Sequence, residues 1–308
     1  MKKVLIQTSG EEKKIEKPAK KTNAQMEWLI KGLLTLQHVS PKLTSSIIWN
    51  QFTKTPRVRF NDKQNALIEK AEISVIKYRG NDLKAYRWLP ADASNGKTIL
   101  LSHGWGSKIA DFRRMIETLV AEGYSVEGVD MKGHGLSAGT HTALPEIRDV
   151  LKTHYSRNGP YHAVVGYSIG GLAAGLTVNE MSTAFHPNHL IIIATPPYTR
   201  YFFQEIIDQV GCKERVFTEM CELVEKHYHE SIDYFDLRNK ADNLQHLDLH
   251  MIYDEHDKTV PFTKGLELNE MLPMSSFVHV TGTSHNQIIA DEKVIGYILD
   301  AVAVKAEV

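Results

Sequence analysis

Ala163-Val164-Val165-Gly166-Tyr167-Ser168-Ile169-Gly170-Gly171 decides the reading of this chain. It runs from a β-branched strand pattern directly into an Ala/Leu-rich helical pattern, Leu172, Ala173, Ala174 and Leu176. A serine on so sharp a strand-to-helix turn holds a strained backbone and presents its hydroxyl. The residues two before and two after it must be small for strand and helix to approach, and Gly166 and Gly170 meet that need. G-x-S-x-G also arises by composition, as an inert glycine-rich turn, so its weight rests on the strand before and the helix after.

Outward from this turn the chain alternates short β-branched runs with helical patterns. Strands are expected at 73–78, 83–89, 97–102, 125–130, 162–166, 190–194, 249–253 and 277–280. The first two are close in sequence, with Gly80-Asn81-Asp82 between them, and read as a hairpin. Helical segments separate the others, which requires crossovers and a mostly parallel sheet. Ile99-Leu100-Leu101 and Ile191-Ile192-Ile193 are apolar on both faces, as strands covered by helices on both sides should be. The expected fold class is therefore α/β, an eight-stranded mostly parallel sheet with helices on both faces. In such sheets function sits at the carboxyl ends of the strands.

Composition narrows the function classes. With Lys+Arg 36 against Asp+Glu 37, the net charge of −1 supplies no basic field for nucleic acid to read. The two cysteines, Cys212 and Cys221, form neither a disulfide framework nor a zinc spacing and suit a reducing cytoplasm. His227 and His229 lack a third ligand at sensible spacing and read as helix surface, so neither metal nor cofactor is expected. At the N-terminus the apolar run Val4-Leu5-Ile6 is too short for a secretion signal, and residues 1–25 read as a mobile Lys/Glu-rich tail. Residues 26–69 read as a helical extension. Met26, Leu29, Ile30, Leu33 and Leu34 recur at helical spacing, too short and too charged to span a bilayer. Docking of that helix on the main domain is favoured over peripheral membrane contact, and oligomeric state is not legible.

Further motifs stand at strand ends. His103-Gly104-Trp105-Gly106 follows the third expected strand, and Asp130-Met131-Lys132-Gly133-His134-Gly135-Leu136-Ser137 follows the fourth. With the serine turn, these make residues from about 70 to the C-terminus resemble the α/β-hydrolase superfamily. The chain is most similar to bacterial serine esterase and lipase-like members, including the monoglyceride lipase and serine aminopeptidase S33-like group. The resemblance implies that Ser168 is a nucleophile and that an H-G-x loop donates one oxyanion-hole amide. The oxyanion hole would then be the backbone N–H groups of Trp105 and Ile169.

A serine hydroxyl needs an adjacent imidazole, and the imidazole needs a carboxylate to fix its tautomer. Chain order in this superfamily is Ser, acid, His, which leaves His279 and His285. His279 lies inside the last strand pattern; His285 lies in the loop after it and is the expected base. For the acid, Asp254-Glu255-His256-Asp257-Lys258-Thr259-Val260-Pro261 offers three carboxylates. Asp257 matches the superfamily's G-x-x-D-x-x-V-P pattern, with Asp254 in the place of its glycine. Asp254 is expected at the strand end and Asp257 far enough out to reach His285.

Residues 196–247 read as an inserted small helical cap. Eight aromatics fall between Tyr198 and Phe235, and Tyr198, Phe202 and Phe203, with Tyr167 and the indole of Trp105, are candidates to line an apolar pocket. The expected function is hydrolysis of carboxylic esters with hydrophobic acyl or alcohol groups through an acyl-enzyme. Thioesterase, lysophospholipase and aminopeptidase chemistry use the same constellation, and a catalytically silent binding protein of the same fold is a further alternative.

Overall fold

The computed structural model describes residues 2–8 and 24–303. Among them the strands are β1 (Lys2–Gln7), β2 (Glu72–Tyr78), β3 (Asn81–Trp88), β4 (Thr98–Ser102), β5 (Ser125–Val129), β6 (Ala163–Tyr167), β7 (His189–Ile193), β8 (Asp248–Asp254) and β9 (Ser276–Thr281). They form one sheet in the order β1-β9-β8-β7-β6-β4-β5-β3-β2. Only the β2–β3 and β3–β5 pairings are antiparallel. The sheet thus has nine strands, not the expected eight. Lys2–Gln7, expected as part of a mobile tail, pairs in parallel with β9, and Ile6 enters the core at 8% exposure. The β2–β3 hairpin closes on Arg79 (φ 45°) and Gly80 (φ 74°), one position earlier than expected. Positive φ at both turn residues matches the right-handed twist of the flanking strands.

The helices are α1 (Ala24–Val39), α2 (Pro41–Thr53), α3 (Asp62–Glu69), α4 (Arg113–Ala121), α5 (Leu144–Asn158), α6 (Ile169–Glu180), α7 (Arg200–Val210), α8 (Glu214–Tyr228), α9 (Ala241–Leu244), α10 (Phe262–Met271) and α11 (Glu292–Val302). None is long and apolar enough to cross a membrane. The chain divides into two compact units.

Among the described residues the first unit comprises 2–8, 55–197 and 237–303 and contains the whole sheet. Strand alternation sends side chains to two faces. Tyr86 and Trp88 of β3, with Ile99 and Leu101 of β4, join Met115 and Leu119 of α4 and Ile298 of α11 in one buried cluster. Leu83 and Ala85 of β3 pack with Val150 of α5 in another. Helix α3 belongs to this unit. Its start is held by a capping box between Asn61 and Gln64, and Trp88 Nε1 donates to the Leu67 carbonyl at 2.9 Å.

Among the described residues the second unit comprises 24–54 and 198–236. Here α1 and α2 share a core with α7 and α8, so the fold groups the N-terminal helices with the inserted ones. Phe203 packs edge-on against Trp49 (5.8 Å between ring centroids) and Phe52 (5.7 Å). Ser40 caps α2, and Gln37 Oε1 accepts a hydrogen bond from the Lys213 amide at 2.7 Å.

Candidate active site

The turn between β6 and α6 places Ser168 at φ 54°, ψ −129°. This backbone region is costly for any residue with a side chain. Close packing holds it there. A Cβ on Gly166 would lie 2.5 Å from Gly171 Cα, and one on Gly170 would lie 2.2 Å from the His103 carbonyl oxygen. Both neighbours must therefore be glycine. The Ser168 amide donates to the Ile193 carbonyl at 2.9 Å, tying the turn to the next strand. Ile169 opens α6, so its N–H lies in the first turn, where no intrahelical carbonyl reaches it.

Two loops at the carboxyl ends of β8 and β9 bring a carboxylate and an imidazole to this serine. Asp257 Oδ1 accepts from the amides of Thr259 (2.7 Å) and Val260 (2.9 Å), a local turn that fixes the carboxylate. Its other oxygen lies 2.6 Å from His285 Nδ1, and His285 Nε2 lies 3.1 Å from Ser168 Oγ. With Nδ1 donating to Asp257, Nε2 carries the lone pair that faces the hydroxyl. The three residues chosen from sequence are thus joined in a chain through His285. His279 lies outside the arrangement and faces Glu255 at 3.0 Å.

Asp254 is fully buried and serves a different purpose from Asp257. It accepts from the Thr283 amide (2.8 Å), the Thr283 hydroxyl (2.7 Å) and the His256 amide (2.7 Å). The strand-end aspartate therefore clamps the acid loop to the loop carrying His285. Thr283 was not singled out from sequence; its position two residues before His285 was the available signal.

Trp105 lies in a loop pressed against the serine. A Cβ on Gly104 would sit 2.8 Å from Tyr167 Cε1 and 3.0 Å from Ser168 Cβ. Two histidines shape that loop. His103 Nε2 accepts from the Met131 amide (3.0 Å) while its Nδ1 donates to the Gly104 carbonyl (2.8 Å). His134 Nε2 accepts from the Gly106 amide (3.1 Å), and its Nδ1 faces the Lys132 carbonyl (3.2 Å). Both are neutral by their partners. Burial pushes His103 down to about 4. It pushes His134 down to about 3, helped by neighbouring His103. The Trp105 indole stands edge-on to His134 at 5.4 Å. Asp130 accepts from the Ile109 and Leu136 amides and the Tyr86 hydroxyl, anchoring the second motif beneath the first.

The pocket candidates divide. Tyr167 is 3% exposed, its ring is tilted against that of His285 with centroids 5.1 Å apart, and its hydroxyl donates to Asn286 Oδ1 at 3.1 Å. It therefore packs against the base from within the core. Phe203 is also buried, in the aromatic core of the second unit. Phe202 and Tyr198 in that unit are half-buried, with Tyr198 bridged to Asp236.

Comparison with known proteins agrees with this architecture. A family model described as serine aminopeptidase, S33 matches residues 93–204, which include the Gly104-Trp105 loop and Ser168 but not Asp257 or His285. Pimeloyl-[acyl-carrier protein] methyl ester esterase of Vibrio parahaemolyticus is 33% identical over 104 residues, 33% of this chain and 38% of that one. The match thus spans well under half of that relative. An esterase of Pyrococcus furiosus superposes with a TM-score of 0.59 at 20% identity, covering 80% of this chain and 98% of that one. Est1E of Butyrivibrio proteoclasticus, solved with ferulic acid, superposes with a TM-score of 0.56 at 17% identity over 75% of this chain and 100% of that one. The fold is that of the α/β-hydrolases.

Proposed function

We propose that the protein is a serine hydrolase that cleaves carboxylic esters with hydrophobic acyl or alcohol groups. The observation that carries this reading is the Ser168–His285–Asp257 relay, 3.1 Å and 2.6 Å in its two links, on a strained turn. Ser168 Oγ attacks the ester carbonyl while His285 Nε2 takes its proton. The imidazolium that forms is stabilised by Asp257. The tetrahedral oxyanion is held by the backbone N–H groups of Ile169 and Trp105, and its collapse expels the alcohol with the proton from His285. Water then attacks the acyl-enzyme, with His285 acting again as base. The named activity of the Vibrio relative supports an ester as the substrate class.

A fluorophosphonate probe should label the wild-type chain and not Ser168→Ala. The substitution should also lower ester turnover by about 10⁴-fold or more. Residual turnover within tenfold of wild type, in a folded variant, would remove Ser168 as nucleophile. A series of p-nitrophenyl esters should show kcat/KM rising with acyl length, by up to about 1 kcal/mol per buried methylene. Strict dependence on a free α-amino group in aminoacyl anilides would instead assign the aminopeptidase activity for which the matching family model is named.

A further inference from the structure

A second cluster of chemically capable side chains stands at the amino ends of β7 and β8, the opposite end of the strands from Ser168. His189 and Asp248 are register partners across the parallel β7–β8 pair, and His250 follows Asp248 by two residues. Period-2 alternation therefore sends all three to one face. Asp248 Oδ2 lies 3.0 Å from His189 Nδ1, and its Oδ1 lies 3.2 Å from His250 Nε2. The donor atoms of all three lie within 4.8 Å of one another.

We propose that His189, Asp248 and His250 form a binding site for a divalent transition cation of the zinc class. Two imidazoles and one carboxylate are the donor set such an ion prefers over magnesium or calcium. A tetrahedral ion with bonds of about 2.0–2.1 Å spaces its donors about 3.3 Å apart. Two of the three separations already stand near that value. The Asp248 side chain is 53% exposed, which leaves the fourth position to solvent water.

Outer partners hold the ring of His250 as ligating imidazoles are usually held. His250 Nδ1 lies 2.7 Å from the Tyr297 hydroxyl on α11, which turns Nε2 toward Asp248. The neighbouring His162 is not a fourth ligand. Its Nε2 bonds the Val302 carbonyl at 2.8 Å, and its Nδ1 accepts from Asn188 at 3.3 Å. A bound ion would join β7, β8 and, through Tyr297, α11 at a point separate from the hydrolytic site.

The full chain, dialysed against EDTA, should bind one zinc ion per molecule at this cluster by titration calorimetry, with a rise in Tm that magnesium does not reproduce. Cobalt(II) should give the intense visible bands of a tetrahedral site. Asp248→Ala, an exposed position that should fold, should abolish both signals. Tyr297→Phe should weaken zinc binding by about 10–100-fold, the usual effect of losing an outer-shell partner. His186 and His246, stacked with ring nitrogens 2.9 Å apart, form another pair of imidazoles, and His186→Ala should leave the titration unchanged. No zinc binding, an isotherm unaltered by Asp248→Ala, or binding lost instead in His186→Ala would each overturn the proposal.

Discussion

Asp254 and Asp257 stand three residues apart and do different work. Asp257 directs one oxygen at His285 Nδ1 while backbone amides hold the other. Asp257→Asn should therefore lower kcat by up to about 10⁴-fold by favouring the wrong imidazole tautomer, with little change in Tm. Asp254 touches no reacting group. Asp254→Asn puts an amide nitrogen where a buried oxygen accepted two bonds from Thr283 or one from His256. It should cost about 1–3 kcal/mol of stability, read by denaturant unfolding, with a far smaller effect on kcat. A larger kcat loss in folded Asp254→Asn than in Asp257→Asn would reverse the two roles. The choice of Asp257 was legible because its spacing to Val260-Pro261 is local and matches the pattern that the superfamily resemblance implies. The clamp was not, since the residue it grips lies beyond the whole of α10 and β9.

At the scale of elements, the loops carrying Trp105 and His285 each lean on structure far away in the chain. His103 and His134 hold the first loop only as neutral rings, with values near 4 and 3 against an ordinary 6.5. The unfolded chain thus binds more protons than the folded one between those values. This contribution to stability is complete above about pH 6.5 and is lost as pH falls toward 4. Thermal melts from pH 7 to 4.5 should show Tm falling, and His134→Gln should have the shallower slope. An identical slope in the variant would contradict the assignment. The second loop begins where β1 ends. The Thr8 amide and hydroxyl bond the Thr281 carbonyl at 3.0 and 2.8 Å, just before Gly282 turns the chain toward His285. Deleting residues 1–8 should therefore cost about 2 kcal/mol or more through loss of buried Ile6 and the edge ladder. It should also lower kcat/KM, whereas the reading as a mobile tail anticipates no effect on either.

For the molecule as a whole, the division into two units draws on segments far apart in sequence. In the helical unit Phe203 is 4% exposed between Trp49 and Phe52. Phe203→Ala should then cost about 3–5 kcal/mol in the stability of that unit, seen as a lowered Tm. If Phe203 instead lined an ester pocket, the variant would keep its Tm and change acyl-length preference, and calorimetry beside an ester series separates the two outcomes.

The sequence by itself determined the alternating α/β architecture, the serine turn and the identity of the residues now found as its imidazole and carboxylate neighbours. The architecture and the turn rest on short-range rules, strand and helix periods and small residues beside a tight turn, whereas His285 and Asp257 follow from the chain order and the D-x-x-V-P pattern that the superfamily resemblance implies. Only the tertiary structure decided the ninth strand, the burial of Tyr167 behind His285, the common core of α1, α2, α7 and α8, and the meeting of His189 with Asp248 and His250. The physical reason is that a parallel strand pair and a packed helix face join residues through contacts whose partners carry no fixed sequence separation. Lys2–Gln7 is too short and too flanked by charge to declare itself a strand. It becomes one because β9 offers an unpaired edge and a place for Ile6.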